Sequence, residues 1–432
     1  MSTTVWEQST ARGGISTRRA RTYGLIFIGV GLLIFLLFAR TANGDQTSVF
    51  VLNPTRSQAL AVPDVPIPTL AGLYGLALVC VFAGAWQLAR GFRNVNLALG
   101  GAALLFVLGF LTWAARDGSL NLTGLLSSTL LRAVPIALAA LSGVLCERCA
   151  VVNIAIEGMM LGGAFFSALL GSAAANIWGW PSWASMPFGL LSGIIAGAVL
   201  GLLLAVLAVH FKIDQIIAGT AINMLATGLT SFLSARILAK FQNLNNAGIL
   251  PRAPIPLLVR IPVIGPIFFE QNVLIYVLFI LAAVIHVMLF YTRWGLRTRA
   301  VGEHPRAADT LGVDVFKNRY VNVTLGGMVA GLAGAFLILG SVGRFDELMT
   351  AGKGFIGLAA LIFGKWMPFG ALGAALIFGF ADSLRTKLAI LEVPIPSQFL
   401  LMAPYLVTMI VLAGVVGEAI PPAADGEPYE KQ

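Results

Sequence analysis

Runs of about 20 apolar residues, separated by short polar stretches, fill most of the chain. A helix rises about 1.5 Å per residue and bilayer hydrocarbon is about 30 Å thick, so each run is long enough to cross a membrane. The runs at 23–40, 70–89, 95–115, 120–145, 150–172, 187–209, 215–239, 272–291 and 319–340 read as spanning helices. The pattern then changes. "GFIGLAALIFG" (354–364) is too short to span, and it stops at Lys365, Trp366 and Pro368. Two more apolar runs follow, at 369–386 and 397–416. The expected fold is an all-α polytopic membrane protein of about twelve membrane segments, one of them a half-length broken helix.

Composition agrees with this pattern. The chain of 432 residues is 58% hydrophobic and 11% charged, with a mean hydropathy of +0.88. Soluble domains carry about 25% charged residues, so a water-soluble globule is excluded. A net charge of +9 could suggest nucleic acid, but no Lys/Arg run has the interleaved aromatics of such a surface. The basic residues gather instead in short connectors, where they set orientation. The 292–319 connector alone holds Arg293, Arg297, Arg299, Arg306, Lys317 and Arg319 and is expected to be cytoplasmic, as are both termini. Arg12, Arg18, Arg19 and Arg21 precede the first run, which reads as a signal anchor without a convincing cleavage site.

Small residues recur at helical spacing. Gly193, Gly197 and Gly201 share one face of the 187–209 run, and Gly327, Gly331 and Ala335 share a face of 319–340. Such faces let helix backbones touch. Two long outer connectors remain. Residues 41–69 are rich in Pro, Ser and Thr, and 240–271 contain spaced prolines that forbid a regular helix, so either could be a rigid lid or a plain connector. Trp178, Trp180 and Trp183 read as an interfacial belt. Cys80 reads as a packing residue. Cys146 and Cys149 form an isolated CxxC with no histidine nearby in sequence, so no metal site is expected.

Polar residues within the apolar runs are the candidates for chemistry, because a charge at membrane depth costs about 3 kcal/mol even on lenient scales. Asn153 and Glu157 lie in "VVNIAIEGMM", spaced to share a helix face. Glu157 could accept backbone hydrogen bonds near a break in the helix, or both residues could line a path. Asn223 and Thr227 form a second such pair, suited either to a hydroxyl-rich solute or to interhelical bonds. Phe355 opens the half-length helix, whose free end would offer backbone polar groups and whose ring could stack on a base. Asp382 and Arg385 lie one turn apart and read as a pair, while Arg132 stands within a helix. His210, His286 and His304 are too scattered for an enzyme's acid–base or metal site.

The connector "TRWGLRTRAVGEHPRAADTLGVDVFKNRY" (292–320) reads as more than a topological signal. Pro305 suits the first turn of a short helix and Gly312 suits its end. The Glu-His-Pro-Arg-Ala-Ala…Gly order resembles the coupling loop of ABC-importer permeases. "GVLCERCAVVNIAIEGMMLGGAF", "DQIIAGTAINMLATGLTSFL" and "FDELMTAGKGFIGLAALIFGKWMPFGALGAALIFGFADSL" extend that resemblance over about 120–417. Together they are similar to the nucleoside-type permeases of the basic-membrane-protein importers, relatives of the ribose and branched-chain amino acid permeases. Cys149 and Ala150 depart from the small residues, glycine included, usual there.

The resemblance implies a permease core at 119–417, with a three-helix extension at 1–118 and a cytoplasmic tail at 418–432. It implies a subunit in a bacterial or archaeal cytoplasmic membrane, moving nucleosides inward. It also implies a separate ATPase that binds ATP and Mg, a second homologous permease and an extracytoplasmic solute-binding protein. The chain has no GxxxxGK[ST] loop of its own and so is expected to be no enzyme and to hold no cofactor. Glu303, Arg306, Ala307, Ala308 and Gly312 are the expected ATPase-coupling contacts, and Asn153, Glu157, Asn223, Thr227 and Phe355 the expected path. A sugar or branched-chain amino acid permease is the alternative within the class. A proton-coupled secondary transporter using Glu157 is the alternative outside it.

Overall fold

The computed structural model describes residues 17–53, 59–92, 94–390, 402 and 419–431. The expected span at 397–416 lies, but for Met402, outside the described residues. Contacts divide the chain into two units.

Of the described residues, the first unit takes those up to 53 together with 61–122. Its helices are α1 (Thr17–Leu33), α2 (Thr69–Ala89) and α3 (Val95–Ala114). Glycines let α1 and α2 touch: a Cβ on Gly84 would lie 2.8 Å from the Gly24 carbonyl oxygen. Ile34, Phe38, Leu73 and Cys80 form the core, so Cys80 packs as a small apolar residue. The 41–69 connector is not the loop its composition suggested. It carries β1 (Thr47–Val51) and β2 (Val65–Pro68), which pair antiparallel with Thr47 opposite Pro68. β3 (Ser119–Asn121) joins β1 in parallel, Val49 opposite Ser119, and so extends this unit to residue 122. Buried Ser48 locks the sheet to the helices through Thr69 Oγ1 (2.8 Å) and the Thr112 carbonyl (2.7 Å).

The second unit holds α4 (Leu122–Glu147), α5 (Ile156–Asn176), α6 (Ser182–Ala205), α7 (Gln215–Leu233), α8 (Val273–Tyr291), α9 (Arg293–Glu303), α10 (Pro305–Thr310), α11 (Val315–Leu337), α12 (Lys353–Phe363) and α13 (Pro368–Ile390). Among the described residues of the whole chain, nine helices are long and apolar enough to span a membrane; α12, with 11 residues, is not. α4, α5 and α11 form the interior, most of their residues being buried, whereas about a third or fewer are buried in α6, α7 and α8. Interior helices must pack on all sides, and here backbone contact through glycine makes that possible. A Cβ on Gly197 of α6 would lie 2.5 Å from Gly331 Cα of α11, and one on Gly201 would lie 2.9 Å from Gly327 Cα. The two glycine faces of the sequence are thus two sides of one seam.

α6 starts earlier than the 187–209 run: Pro187 lies inside it, and Trp183 is in its first turn rather than in the connector. The 240–271 segment forms short turns pinned at several points. Asn245 brackets the Phe345 backbone through both side-chain atoms (2.9 and 2.7 Å), and Asn272 Nδ2 donates to the Leu250 carbonyl at 2.9 Å.

Candidate functional site

The break between α4 and α5 creates the site. α4 ends in a Schellman cap: the Val151 N–H donates to the Cys146 carbonyl at 3.2 Å and the Ala150 N–H to the Glu147 carbonyl at 2.9 Å. Ala150 takes the left-handed position with φ +64°, where glycine is the usual residue. The chain then runs without helix to Ala155. A single helix over 150–172 is therefore incorrect. Asn153 and Glu157 share no helix face, because Asn153 precedes the helix. Its Nδ2 instead faces sulfur, 3.3 Å from Cys146 Sγ and 3.8 Å from Met159 Sδ, in a fully buried setting.

Glu157 lies in the first turn of α5 and reaches across to the start of α12. One carboxylate oxygen accepts the Gly352 N–H at 2.8 Å and the other the Gly354 N–H at 2.6 Å. The first N–H groups of any helix lack partners within it, and the macrodipole makes that end positive. A carboxylate satisfies both needs. Gly354 admits the approach, since a Cβ there would lie 2.7 Å from Glu157 Cα. Eleven residues rise about 16 Å, so α12 is about half as long as the hydrocarbon is thick.

Asn223 of α7 ties the other side of the break. Its Oδ1 accepts the Gly158 N–H at 2.7 Å and its Nδ2 donates to the Ile154 carbonyl at 2.8 Å. Thr227, one turn on, is half-buried like Asn223. Phe355 sits at the start of α12 with 48% of its surface exposed. Glu157, Asn223 and Phe355 are thus brought to one break, while Asn153 is turned into the packing.

A charged group missed as a unit in the sequence lies beside them. Asp382 of α13 pairs with Arg132 of α4 at 2.6 Å and with Arg385 at 2.9 Å. Lys353, at the start of α12, interacts electrostatically with Asp382, Glu157, Arg132 and Arg385. Arg132 is a lone charge in an apolar run and Asp382 and Arg385 read as a pair, which was the available signal. Their meeting required the fold, since Arg132 and Asp382 are 250 residues apart.

A second cluster forms at the opposite end of α12. Arg148 donates to the Trp366 carbonyl at 2.9 Å, and its guanidinium lies 5.4 Å from the Phe290 ring, with Arg299 on the same ring at 5.1 Å. Burial holds the Arg148 pKa below its usual range, with the Glu303 charge opposing. α10 starts at Pro305 and ends in another Schellman cap, with Gly312 at φ +80° donating to the Asp309 carbonyl and Val313 to the Ala308 carbonyl. Arg306, Ala307 and Gly312 are exposed, whereas Ala308 is buried. Glu303 closes α9, and its Oε2 accepts the Ala423 N–H at 3.2 Å. Arg319, taken as a connector residue in the sequence, is instead buried in α11, with Nη1 donating to the Glu427 carbonyl at 3.0 Å. Cys149 donates to the Cys146 carbonyl at 3.0 Å, and burial pushes its thiol up to about 12, so it is protonated packing at neutral pH.

A bundle of apolar spans built around a broken helix pair, with a half-length helix ending inside it, defines a membrane permease. The chain belongs to the family described as branched-chain amino acid transport system / permease component, whose model matches residues 125–416. It is 44% identical over 315 residues to a guanosine ABC transporter permease protein of Bacillus subtilis (strain 168), covering 70% of this chain and 95% of the relative. It is 42% identical over 316 residues to a nucleoside ABC transporter permease protein of Lactococcus lactis subsp. cremoris (strain MG1363), covering 71% and 96%. In each of these organisms a second, more distant match carries the same description, at 26% and 23% identity.

Proposed function

We propose that this chain is a permease subunit of an ABC importer that moves nucleosides through the cytoplasmic membrane, with ATP and Mg bound by a separate ATPase. The observation that carries this reading is the 42–44% identity to guanosine and nucleoside permease proteins over nearly their whole length. The geometry is consistent with it. Glu157 and Phe355 stand at the start of α12, Asn223 at the adjoining break with Thr227 one turn on, and these polar groups suit an uncharged, hydroxyl-rich solute. α10 presents Arg306 and Ala307 on its exposed side as the ATPase contact, next to exposed Glu303 at the end of α9, with Ala308 packed beneath and Gly312 turning the chain back into α11.

Arg148, Lys212, Arg299 and Arg319 lie at the α9–α10 end, which by the positive-inside rule supports reading that end and the C-terminal tail as cytoplasmic. The paired matches in two organisms support a second, homologous permease as partner. A receptor on the outer side would deliver the solute.

The test is uptake of labelled guanosine into vesicles holding this chain, its ATPase and its companion permease, with the receptor outside and ATP inside. ATP-dependent accumulation that stops with Arg306→Glu is the expected result. Uptake indifferent to ATP and abolished by collapse of the proton gradient would overturn the reading.

A further inference from the structure

α10 is six residues long, and an isolated helix of that length does not hold its shape in water. Only Ala308 of it is buried. Something outside the helix must fix it, and the C-terminal segment 419–431 reaches it through Tyr429, which meets Asp309.

This segment touches the α4–α5, α6–α7 and α9–α11 connectors. The Ala424 N–H donates to the Gly302 carbonyl at 3.0 Å and the Ala423 N–H to Glu303 Oε2, which ties it to the end of α9. Tyr429 is buried, its ring 5.4 Å from Phe316 of α11, and its hydroxyl faces the Asp309 carboxylate of α10. The Glu427 carbonyl accepts from Arg319 of α11. Gly426 packs near Val152, in the break between α4 and α5. Glu430 pairs with Lys212, just before α7, at 2.7 Å.

The chemistry beneath the segment argues that it stays docked. Arg319 is 1% exposed, and Nε and Nη2 of its guanidinium have no hydrogen-bond partner. Asp425 of the tail, whose Oδ1 is also unpartnered, lies near it. Without the segment, Arg319 would lose the Glu427 carbonyl that accepts from its Nη1.

We infer that residues 419–431 form a positioning strap that holds α10 against α11 and the α4–α5 break, so that force on α10 from the partner ATPase reaches the translocation site. The inference rests on the importer reading above. A push on an unstrapped α10 would be absorbed by bending of its own connectors.

The experiment uses the complete complex in vesicles and measures guanosine accumulated per ATP hydrolysed, with the solute KM and the amount of ATPase that co-purifies. The variants are Tyr429→Ala, Tyr429→Phe and deletion of 419–432. Tyr429→Ala and the deletion are expected to cut the transport-to-hydrolysis ratio by about fivefold or more, equivalent to about 1 kcal/mol of lost coupling. KM and co-purification should hold. Tyr429→Phe keeps the ring on Phe316 of α11 but loses the hydroxyl contact with Asp309 of α10, and its ratio should fall between those of the wild type and Tyr429→Ala. If the deleted chain fails to accumulate in the membrane, Tyr429→Ala decides alone. A wild-type ratio in Tyr429→Ala overturns the strap even where both rates fall together. Absence of ATP-dependent uptake in the wild-type complex overturns the importer reading instead.

Discussion

Replacing Glu157 with Gln separates the two roles a membrane carboxylate can have. In the structure each carboxylate oxygen accepts one backbone N–H from the start of α12, at 2.8 and 2.6 Å. Gln keeps one acceptor and turns an NH2 toward the other N–H, so one donor is left facing a donor. Losing a hydrogen bond to a charged group costs about 1.5–3 kcal/mol. Removing a negative charge from a helix N-terminus adds about 0.3–2 kcal/mol. The variant should therefore lose about 2–5 kcal/mol at the α12 terminus. The assay is thermal unfolding of the purified complex in detergent, read beside ATP-driven uptake in vesicles at two proton gradients. A Tm lowered by several degrees, with uptake reduced but still ATP-dependent and gradient-independent, is the expected outcome. Unchanged stability with loss of a proton-gradient dependence would refute the reasoning and make Glu157 a proton carrier.

Ala150→Gly relieves a left-handed backbone position and should stabilise the complex by about 1 kcal/mol, seen as a rise in Tm; a fall would show that the methyl group packs usefully. Gly331→Leu places a side chain where the α6 backbone passes, and should cost about 3 kcal/mol or more, read as loss of folded protein after detergent extraction; normal yield would refute the glycine seam. Burial raises the Asp425 pKa from 3.8 to about 7, against the opposing effects of the Arg319 charge and the Gly426 backbone N–H, with Cys149 and Glu147 also nearby. The docked strap thus keeps a proton that the free strap releases. This contribution to docking is full below about pH 3.8 and is lost as pH rises through about 7. Hydrogen exchange in 419–431, corrected for the intrinsic effect of pH, should be faster at pH 8 than at pH 6, and equal protection at both would contradict the sign.

The apolar runs determined the spans because crossing a bilayer is a local requirement: enough apolar residues in a row, each backbone group bonded within its own helix. The same locality made α10 legible. Proline at its start and glycine past its end act on the backbone where they stand. Even the seam was half written, since Gly193, Gly197 and Gly201 lie on one face and Gly327 and Gly331 on another. Their facing each other was not written. Helical spacing also misled at Asn153 and Glu157, where the apolar run continues through a break set by the cap at Ala150, a residue that carries no glycine signal. In the first unit, β1 and β2 were hidden in a connector that looked like turn chemistry, because a short strand is fixed by its partners rather than by its own sequence.

What only the tertiary structure decided are the partners of the polar groups. A carboxylate at membrane depth requires hydrogen bonds, but nothing near Glu157 in sequence says that they come from Gly352 and Gly354. Arg132 and Asp382 each pose the same demand and answer it together across the chain. Arg319 is one turn inside α11 and reads from sequence as topology-setting charge, yet it is buried under the tail. The physical reason is common to all three. Burial fixes that a polar group needs a partner, a property of the residue and its apolar neighbours, whereas which partner it finds depends on the helices that pack beside it.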